Sequence, residues 1–152
     1  MFLMLNLSII RNTGQITRRL QEVLDRTEDL RPLLLDIGED LALSTKQRFT
    51  TLKDPDGFEW QANSELVIQR KGHDIPLTGK TRDLQHTIVS QLRGSTGVEI
   101  GSPLAYSVVQ QFGGLSYWQE YQEWWRVPPR NFVGMSDDDA RHILHLTEVY
   151  LI

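Results

Sequence analysis

The first ten residues alternate between strongly apolar and less apolar positions. Leu3, Leu5, Leu7 and Ile9 occupy every second position. Alternate side chains of a strand point to the same face of a sheet. The N-terminus is therefore predicted to form a strand with one strongly apolar face.

The spacing then changes to that of amphipathic helices, and two helices are predicted, near 13–27 and 31–51. Thr13 is a suitable N-cap for the first, and Pro32 is tolerated in the first turn of the second. The apolar stripe of the first helix is formed by Ile16, Leu20, Val23 and Leu24. The stripe of the second is formed by Leu34, Ile37, Leu41, Thr45 and Phe49.

The middle of the chain is predicted to be a tight turn followed by a long loop. Asp54–Gly57 combines aspartate, proline and glycine, the residues that favour turns. No periodicity holds over 58–76, and we expect this range to be a long loop that Trp60 anchors. Such loops in compact domains are usually functional or mobile. Thr78-Gly79 indicates a second turn, and a short helix is expected over 81–84.

An antiparallel hairpin is predicted next. Ile88, Ser90 and Leu92 alternate along the chain with Thr87, Val89 and Gln91. Residues 93–97 have the length and glycines of a hairpin loop, and 98–100 returns. Ser102 and Pro103 then suit the N-cap and the first position of a helix.

The helix that follows Pro103 is predicted to end at two glycines. We expect Val108 or Val109 to pack inward together with Phe112. Gly113 or Gly114 is expected to adopt a positive φ, which would fix the angle at which the next segment leaves the helix.

Five of the chain's 13 aromatic residues lie between positions 117 and 125. Their spacing of i, i+1, i+4, i+7 and i+8 is helical and predicts a helix within 115–127. Two environments fit, an internal core helix or a contact surface for another subunit, because aromatic residues are enriched in both. The five candidate subunit-interface residues are Tyr117, Trp118, Tyr121, Trp124 and Trp125.

The C-terminal segment is predicted to be a helix that begins at a capping box. Ser136 is followed three residues later by Asp139, and the aspartates of 137–139 would lie at the positive end of the helix dipole. The predicted buried stripe consists of Ile143, Leu146 and Tyr150, flanked by Leu144 and Leu151.

These elements predict an α+β fold in one domain over 1–152. An antiparallel sheet, formed by the N-terminal strand and the hairpin, would pack with about four helices, and the central loop at 58–76 could be mobile. A chain of 152 residues can bury a sizeable core without disulfides, and it contains no cysteine. We find no signal peptide pattern and no apolar stretch of membrane-spanning length.

The net charge of -4 argues against nucleic-acid binding as the main function. Glu120 and Glu123 among the aromatic residues are also unfavourable for contact with a polyanion. A local basic patch on a DNA-contacting protein remains an alternative, and its members would be Arg11, Arg18, Arg19, Arg26 and Arg31.

No motif indicates catalysis, a metal or another cofactor. His142 and His145 are three residues apart on one predicted helix, but no third ligand is evident, so a metal-dependent hydrolase is the weaker alternative. The turn 54–57 lacks the later glutamate of a calcium loop, and 78–81 lacks the first glycine of a phosphate loop.

Four stretches, in this order, resemble the phage virion morphogenesis family, the tail completion proteins of Mu-like phages and prophages. They lie at 54–60, 81–88, 98–114 and 129–137. Their family-motif residues are Asp54, Gly57, Trp60, Leu84, Tyr106, Gln111, Phe112, Gly113, Gly114, Pro129, Arg130 and Phe132. The chain departs from the family where Gln110 replaces a frequent histidine and Arg82 a usual glycine.

The resemblance implies a structural protein without enzymatic activity or cofactor. It would act in tail completion and head–tail joining, as a homo-oligomer for which the family implies a hexameric ring, in contact with other tail or neck proteins. It would reside in the virion, at the tail or head–tail junction, after assembly in the host cytoplasm. A ring needs two different patches on each subunit, and the 105–114 motif and the 58–76 loop are candidate donors. A tail terminator or a DNA-contacting neck protein is the alternative.

Overall fold

The computed structural model describes residues 13–24 and 29–151, and the predicted N-terminal strand lies outside them. The described residues form an α+β fold, as predicted, with six helices rather than about four and with two separate two-stranded sheets. In chain order the elements are α1 (Thr13–Leu24), α2 (Arg31–Thr51), α3 (Glu65–Lys71), α4 (Asp83–His86), β1 (Val89–Arg93), β2 (Gly97–Gly101), α5 (Ser107–Phe112), β3 (Gly114–Trp118), β4 (Glu123–Val127) and α6 (Asp137–Leu151).

Helix α2 is the central element, and its predicted bounds and apolar stripe are confirmed. One face packs on the β1–β2 hairpin and another on α6. The helix ends because Leu52 adopts the left-handed conformation, with φ 59°, and donates its N–H to the carbonyl of Arg48. The buried residues of α2 are Leu33, Leu34, Ile37, Gly38, Leu41, Ala42, Thr45, Arg48 and Phe49.

Both sheets are antiparallel hairpins. The predicted pairing of β1 with β2 is confirmed, with Gln91 opposite Glu99. The predicted helix over 115–127 is wrong, because this segment forms β3 and β4, with Tyr117 opposite Trp124. In a hairpin with a four-residue turn, residues i and i+7 lie opposite each other. The same spacing of seven residues corresponds to about two turns of a helix, so it did not distinguish the two structures.

The predicted long loop at 58–76 is only partly correct, because it contains α3. Ser64 caps this helix by accepting a hydrogen bond from the Val67 N–H, and Gly72 ends it with φ 76°. Trp60 is buried, as expected of an anchor. The short helix predicted over 81–84 lies two residues later, as α4.

The capping box at the start of α6 is confirmed. Ser136 Oγ accepts from the Asp139 N–H at 3.0 Å, and Asp139 Oδ2 accepts from the Ser136 N–H at 2.9 Å. Ile143 is buried and Leu146 packs against the core from a half-buried position, whereas Leu151 is exposed. No helix among the described residues combines the length and apolarity that crossing a membrane requires.

Candidate functional site

Residues 130–134, which we call the anchor segment, are held by hydrogen bonds from several elements. Each carbonyl from Asn131 to Gly134 accepts a hydrogen bond from a buried side chain. The donors are Trp60 Nε1 to Asn131 O at 2.8 Å, Arg48 Nη1 to Phe132 O at 2.9 Å and to Gly134 O at 3.0 Å, and Gln111 Nε2 to Val133 O at 3.0 Å. Buried backbone groups require such partners, so the segment has one well-defined path.

Gln111 is the side chain that ties α5 to the anchor segment. Its Oε1 accepts from the N–H groups of Phe132 and Val133, at 2.9 and 3.0 Å, while its Nε2 donates to Val133. The prediction that Phe112 packs inward is wrong, because Phe112 is 51% exposed and Gln111 only 4%. A helix of six residues can bury only a narrow face, and here that face carries the amide.

Arg48 connects α2, the anchor segment and α6. Its Nη2 lies 2.6 Å from Asp139 Oδ2, and Ser44 Oγ donates to the other carboxylate oxygen at 2.5 Å. Burial lowers the pKa of Arg48, and the charge of Asp139 opposes that shift. Burial alone would disfavour the charged form of the guanidinium, and the neighbouring carboxylate of Asp139 compensates for this as its counter-ion.

Arg130 links the anchor segment to the residues that precede α3. Its Nε donates to Gln61 O at 2.7 Å and its Nη2 to Ala62 O at 3.1 Å, with Asn63 Oδ1 at 3.3 Å. Burial lowers the pKa of Arg130, and Asp74 opposes the shift. This family-motif arginine is thus a buried structural residue.

Aromatic packing completes the contacts around the anchor segment. Phe49 of α2 packs edge-on against Trp60, with ring centroids 5.5 Å apart, and against Phe132 at 5.7 Å. A side chain at Gly134 would meet Pro55, since a Cβ at this position would lie 2.6 Å from the Pro55 Cγ. The turn at 54–57, in which Asp54 Oδ1 accepts from the N–H groups of residues 56 and 58, therefore closes over the anchor segment.

Gly113 sets the direction in which β3 leaves α5. Its φ of 74° and ψ of 177° lie in a region that is accessible essentially only to glycine, and the predicted positive φ is confirmed. A Cβ at this position would also lie 2.9 Å from Pro129 Cδ and from Val127 O. Helix α5 begins at Ser107, later than predicted, and Ser102 Oγ accepts from the Leu104 N–H instead of capping it.

The five predicted interface residues all lie on the β3–β4 hairpin, distributed over both of its faces and its turn. On the outer face, the Tyr117 and Trp124 rings are 5.3 Å apart and are 47% and 67% exposed, beside the exposed Leu115. On the inner face, Trp118 and Trp125 are 5.8 Å apart, and Tyr121 from the turn contacts both. The alternative of an internal core helix is therefore wrong.

The residues considered for a metal site and for a basic patch do not form a common site among the described residues. His142 Nε2 lies 2.9 Å from Asp40 Oδ2 at the surface, and His145 is exposed. Within residues 13–24 and 29–151, no group of three or more metal-binding side chains converges. Of the candidate basic patch, Arg31 pairs with Asp29 at 2.8 Å, and two of the five arginines lie outside the described residues.

The remaining family-motif residues have structural positions. Leu84 belongs to the core, and Gly114 and Pro129 lie at the exposed base of the β3–β4 hairpin. Tyr106 is exposed and directly precedes α5. Arg48 was not predicted, although its spacing of seven from Leu41 places it on the buried stripe of α2.

The model of the phage virion morphogenesis family matches residues 11–152. Comparison with curated proteins and with solved structures found no match.

Proposed function

The chain belongs to the phage virion morphogenesis family, and from this premise we propose that it is a structural protein that completes the tail and joins it to the head. Family membership indicates a role in virion assembly. The step at which it acts, its neighbours and its oligomeric state are parts of the proposal.

The observation that carries the proposal is the exposed aromatic hairpin. Tyr117, Trp124 and Leu115 form an apolar outer face without a covering element among the described residues. Contiguous exposed apolar residues mark interaction surfaces more often than isolated ones do. Tryptophan and tyrosine are also the residues that most often dominate binding energy at interfaces.

The anchor segment gives this hairpin a fixed base. Gly113 before β3 and Pro129 after β4 are in close contact, and Gln111 and Arg130 hold the flanking backbone. A rigid contact element loses less conformational freedom on binding than a flexible one. Each copy would therefore present the hairpin at the same angle, which a closed ring requires.

The buried polar side chains support a structural function rather than catalysis. Arg48, Gln111 and Arg130 direct their donors at backbone carbonyls or at a buried carboxylate. They are committed to holding the fold. We place the protein at the tail or the head–tail junction, with copies of itself and neighbouring tail or neck proteins as its partners.

Electron microscopy of particles assembled without this protein tests the proposal. Loss of a joining protein should leave DNA-filled heads beside detached tails of normal length. Overlong tails would instead assign the protein to tail termination, and particles of normal shape and infectivity would overturn a role in assembly. Expression of the wild-type chain in trans is the control and should restore joined particles.

A further inference from the structure

A basic cleft lies between α3, residues 77–84 and the inner face of the β3–β4 hairpin. Its volume is about 540 Å³. Trp118 and Trp125 form one wall, and Arg70 stacks over Trp118 with its guanidinium carbon 4.7 Å from the ring centroid. Cavities of this size, apolar on one side with a few polar groups, are typical of binding sites.

The charge of this cleft is opposite to that of the whole chain. Its lining carries one carboxylate, Asp83, and five cationic side chains, which are Arg70, Lys71, Lys80, Arg126 and Arg130. The protein as a whole has a net charge of -4. The cations are therefore concentrated locally.

Within the described part of the chain, the wall of the cleft contains side-chain donors that lack a hydrogen-bond partner and a cation that lacks an ion-pair partner. Among the described residues, Asn63 Nδ2 and Trp125 Nε1 are buried donors without an acceptor. Lys71 is half-buried and forms no ion pair with a described carboxylate, whereas Arg70 pairs with Glu120 at 3.2 Å. Burial lowers the pKa of Lys71, and Arg130 lowers it further. An occupant that brings carboxylates would supply Lys71 with a counter-ion.

A complementary surface lies on α2. Asp36, Glu39, Asp40 and Leu43 are spaced i, i+3, i+4 and i+7, so they form one stripe, which we call the acidic stripe. Asp36 and Glu39 are exposed and form no ion pair with another described residue, and Leu43 is 56% exposed. None of these residues lines the basic cleft.

We propose that the basic cleft of one copy binds the acidic stripe of α2 on the next copy. This inference rests on the proposed self-assembly and specifies its two surfaces. The carboxylates of Asp36 and Glu39 meet Lys71 and Lys80, and Leu43 packs near Trp118. Two different surfaces on each copy make a head-to-tail contact, the type that generates a ring.

Charge-reversal variants test the pairing. The cleft variant carries Lys71→Glu and Lys80→Glu, the stripe variant carries Asp36→Lys and Glu39→Lys, and the control carries Arg18→Glu and Lys53→Glu. Circular dichroism and thermal melts first establish that all three are folded. Sedimentation velocity then compares each variant alone with an equimolar mixture of the cleft and stripe variants.

Each of the two test variants alone should be monomeric, with self-association weakened roughly 100-fold or more by like-charge contacts, and the control should assemble like the wild type. The mixture should recover assembly, because the intact cleft of the stripe variant meets the intact stripe of the cleft variant, and the two reversed surfaces also carry opposite charges. A mixture that stays monomeric, a wild type that never assembles at any soluble concentration, or test variants that assemble normally would overturn the pairing.

Particle morphology separates this inference from the proposed function. If particles without the protein show detached tails but both test variants restore joined particles, the pairing is wrong and the tail-completion function stands. If particles without the protein are normal, the proposed function fails regardless of sedimentation.

Discussion

The guanidinium of Arg48 lies 2.6 Å from the carboxylate of Asp139, and both side chains are buried. The contact joins α2 to α6 through two residues that are 91 positions apart along the chain. Because Arg48 also donates to two carbonyls of the anchor segment, this ion pair helps to position the backbone that carries the hairpin.

Asp139→Asn is expected to destabilise the protein by about 3–5 kcal/mol, because it leaves the buried charge of Arg48 uncompensated. Urea unfolding followed by circular dichroism measures the change in the free energy of unfolding. Asp138→Asn is the matched control, since its ion pair with Arg141 is exposed and exposed pairs contribute little. Equal losses in the two variants would contradict the role given to Arg48.

Gln111→Leu should cost about 3 kcal/mol or more, because it removes the partners of three buried backbone groups. The neighbouring Gln110→Ala should change stability by less than about 0.5 kcal/mol, as its side chain bonds to no backbone group of the described part of the chain. The same unfolding measurement distinguishes them. If the two substitutions proved equivalent, Gln111 would not be the side chain that secures the anchor segment.

Gly113→Ala combines backbone strain with a steric clash, and we expect a loss of more than about 3 kcal/mol. Gly94→Ala also requires a positive φ, of 63°, but has open space around its Cβ. Its loss should be about 1–2 kcal/mol. Thermal unfolding of both variants checks the difference. Equal losses would show that neither the backbone conformation of Gly113 nor its contact with Pro129 excludes a side chain.

Lys71→Met is expected to stabilise the isolated protein by up to about 1 kcal/mol at neutral pH. The folded-state pKa of Lys71 lies below its ordinary value of 10.5, mainly because of burial. The protonated amine therefore destabilises the fold below that folded-state pKa, and this penalty disappears as the pH rises towards 10.5. The advantage of the variant should shrink over the same range.

Unfolding experiments at several pH values test this, with the exposed Lys80→Met as control. A constant or growing advantage of Lys71→Met at high pH would contradict the proposed destabilisation. If Lys71→Met also weakens self-association, the wild-type lysine favours binding at the expense of monomer stability.

The long helices could be predicted because several independent sequence features indicate each of them. In α2 the apolar stripe extends over about four turns, and Pro32 marks the start of the helix. In α6 the capping residues Ser136 and Asp139 mark the first turn. Helix α3 is only two turns long and has no apolar period. Its signals were the single residues that cap it, Ser64 and Gly72, and these also fit a loop.

The hairpin could not be identified from spacing alone. Tyr117 and Trp124 are seven residues apart, a distance that suits one face of a helix and an opposed pair of strands equally. The turn between them, residues 119–122, lacks the glycine, proline, asparagine and aspartate that mark turns, and Gln122 adopts a φ of 53° instead. The remaining signal was the strand preference of tryptophan and tyrosine.

Gln111 and Arg48 show why the anchor segment was not foreseen. Both are polar residues that serve backbone groups more than 20 positions away, and periodicity detects only apolar faces. The family resemblance identified Gln111 as a motif residue, but only the fold shows that it holds Phe132 and Val133.

Complementation of a phage that lacks this protein tests the assembly role of the hairpin most directly. Trp124→Ala should lower the infectious titre at least about tenfold, with detached tails and filled heads, because it removes the most exposed aromatic side chain of the hairpin while the monomer stays folded. Phe58→Ala, an equally exposed aromatic residue on the 54–58 turn, should restore the wild-type titre. A wild-type titre with Trp124→Ala, or an unfolded Trp124→Ala monomer, would contradict the account.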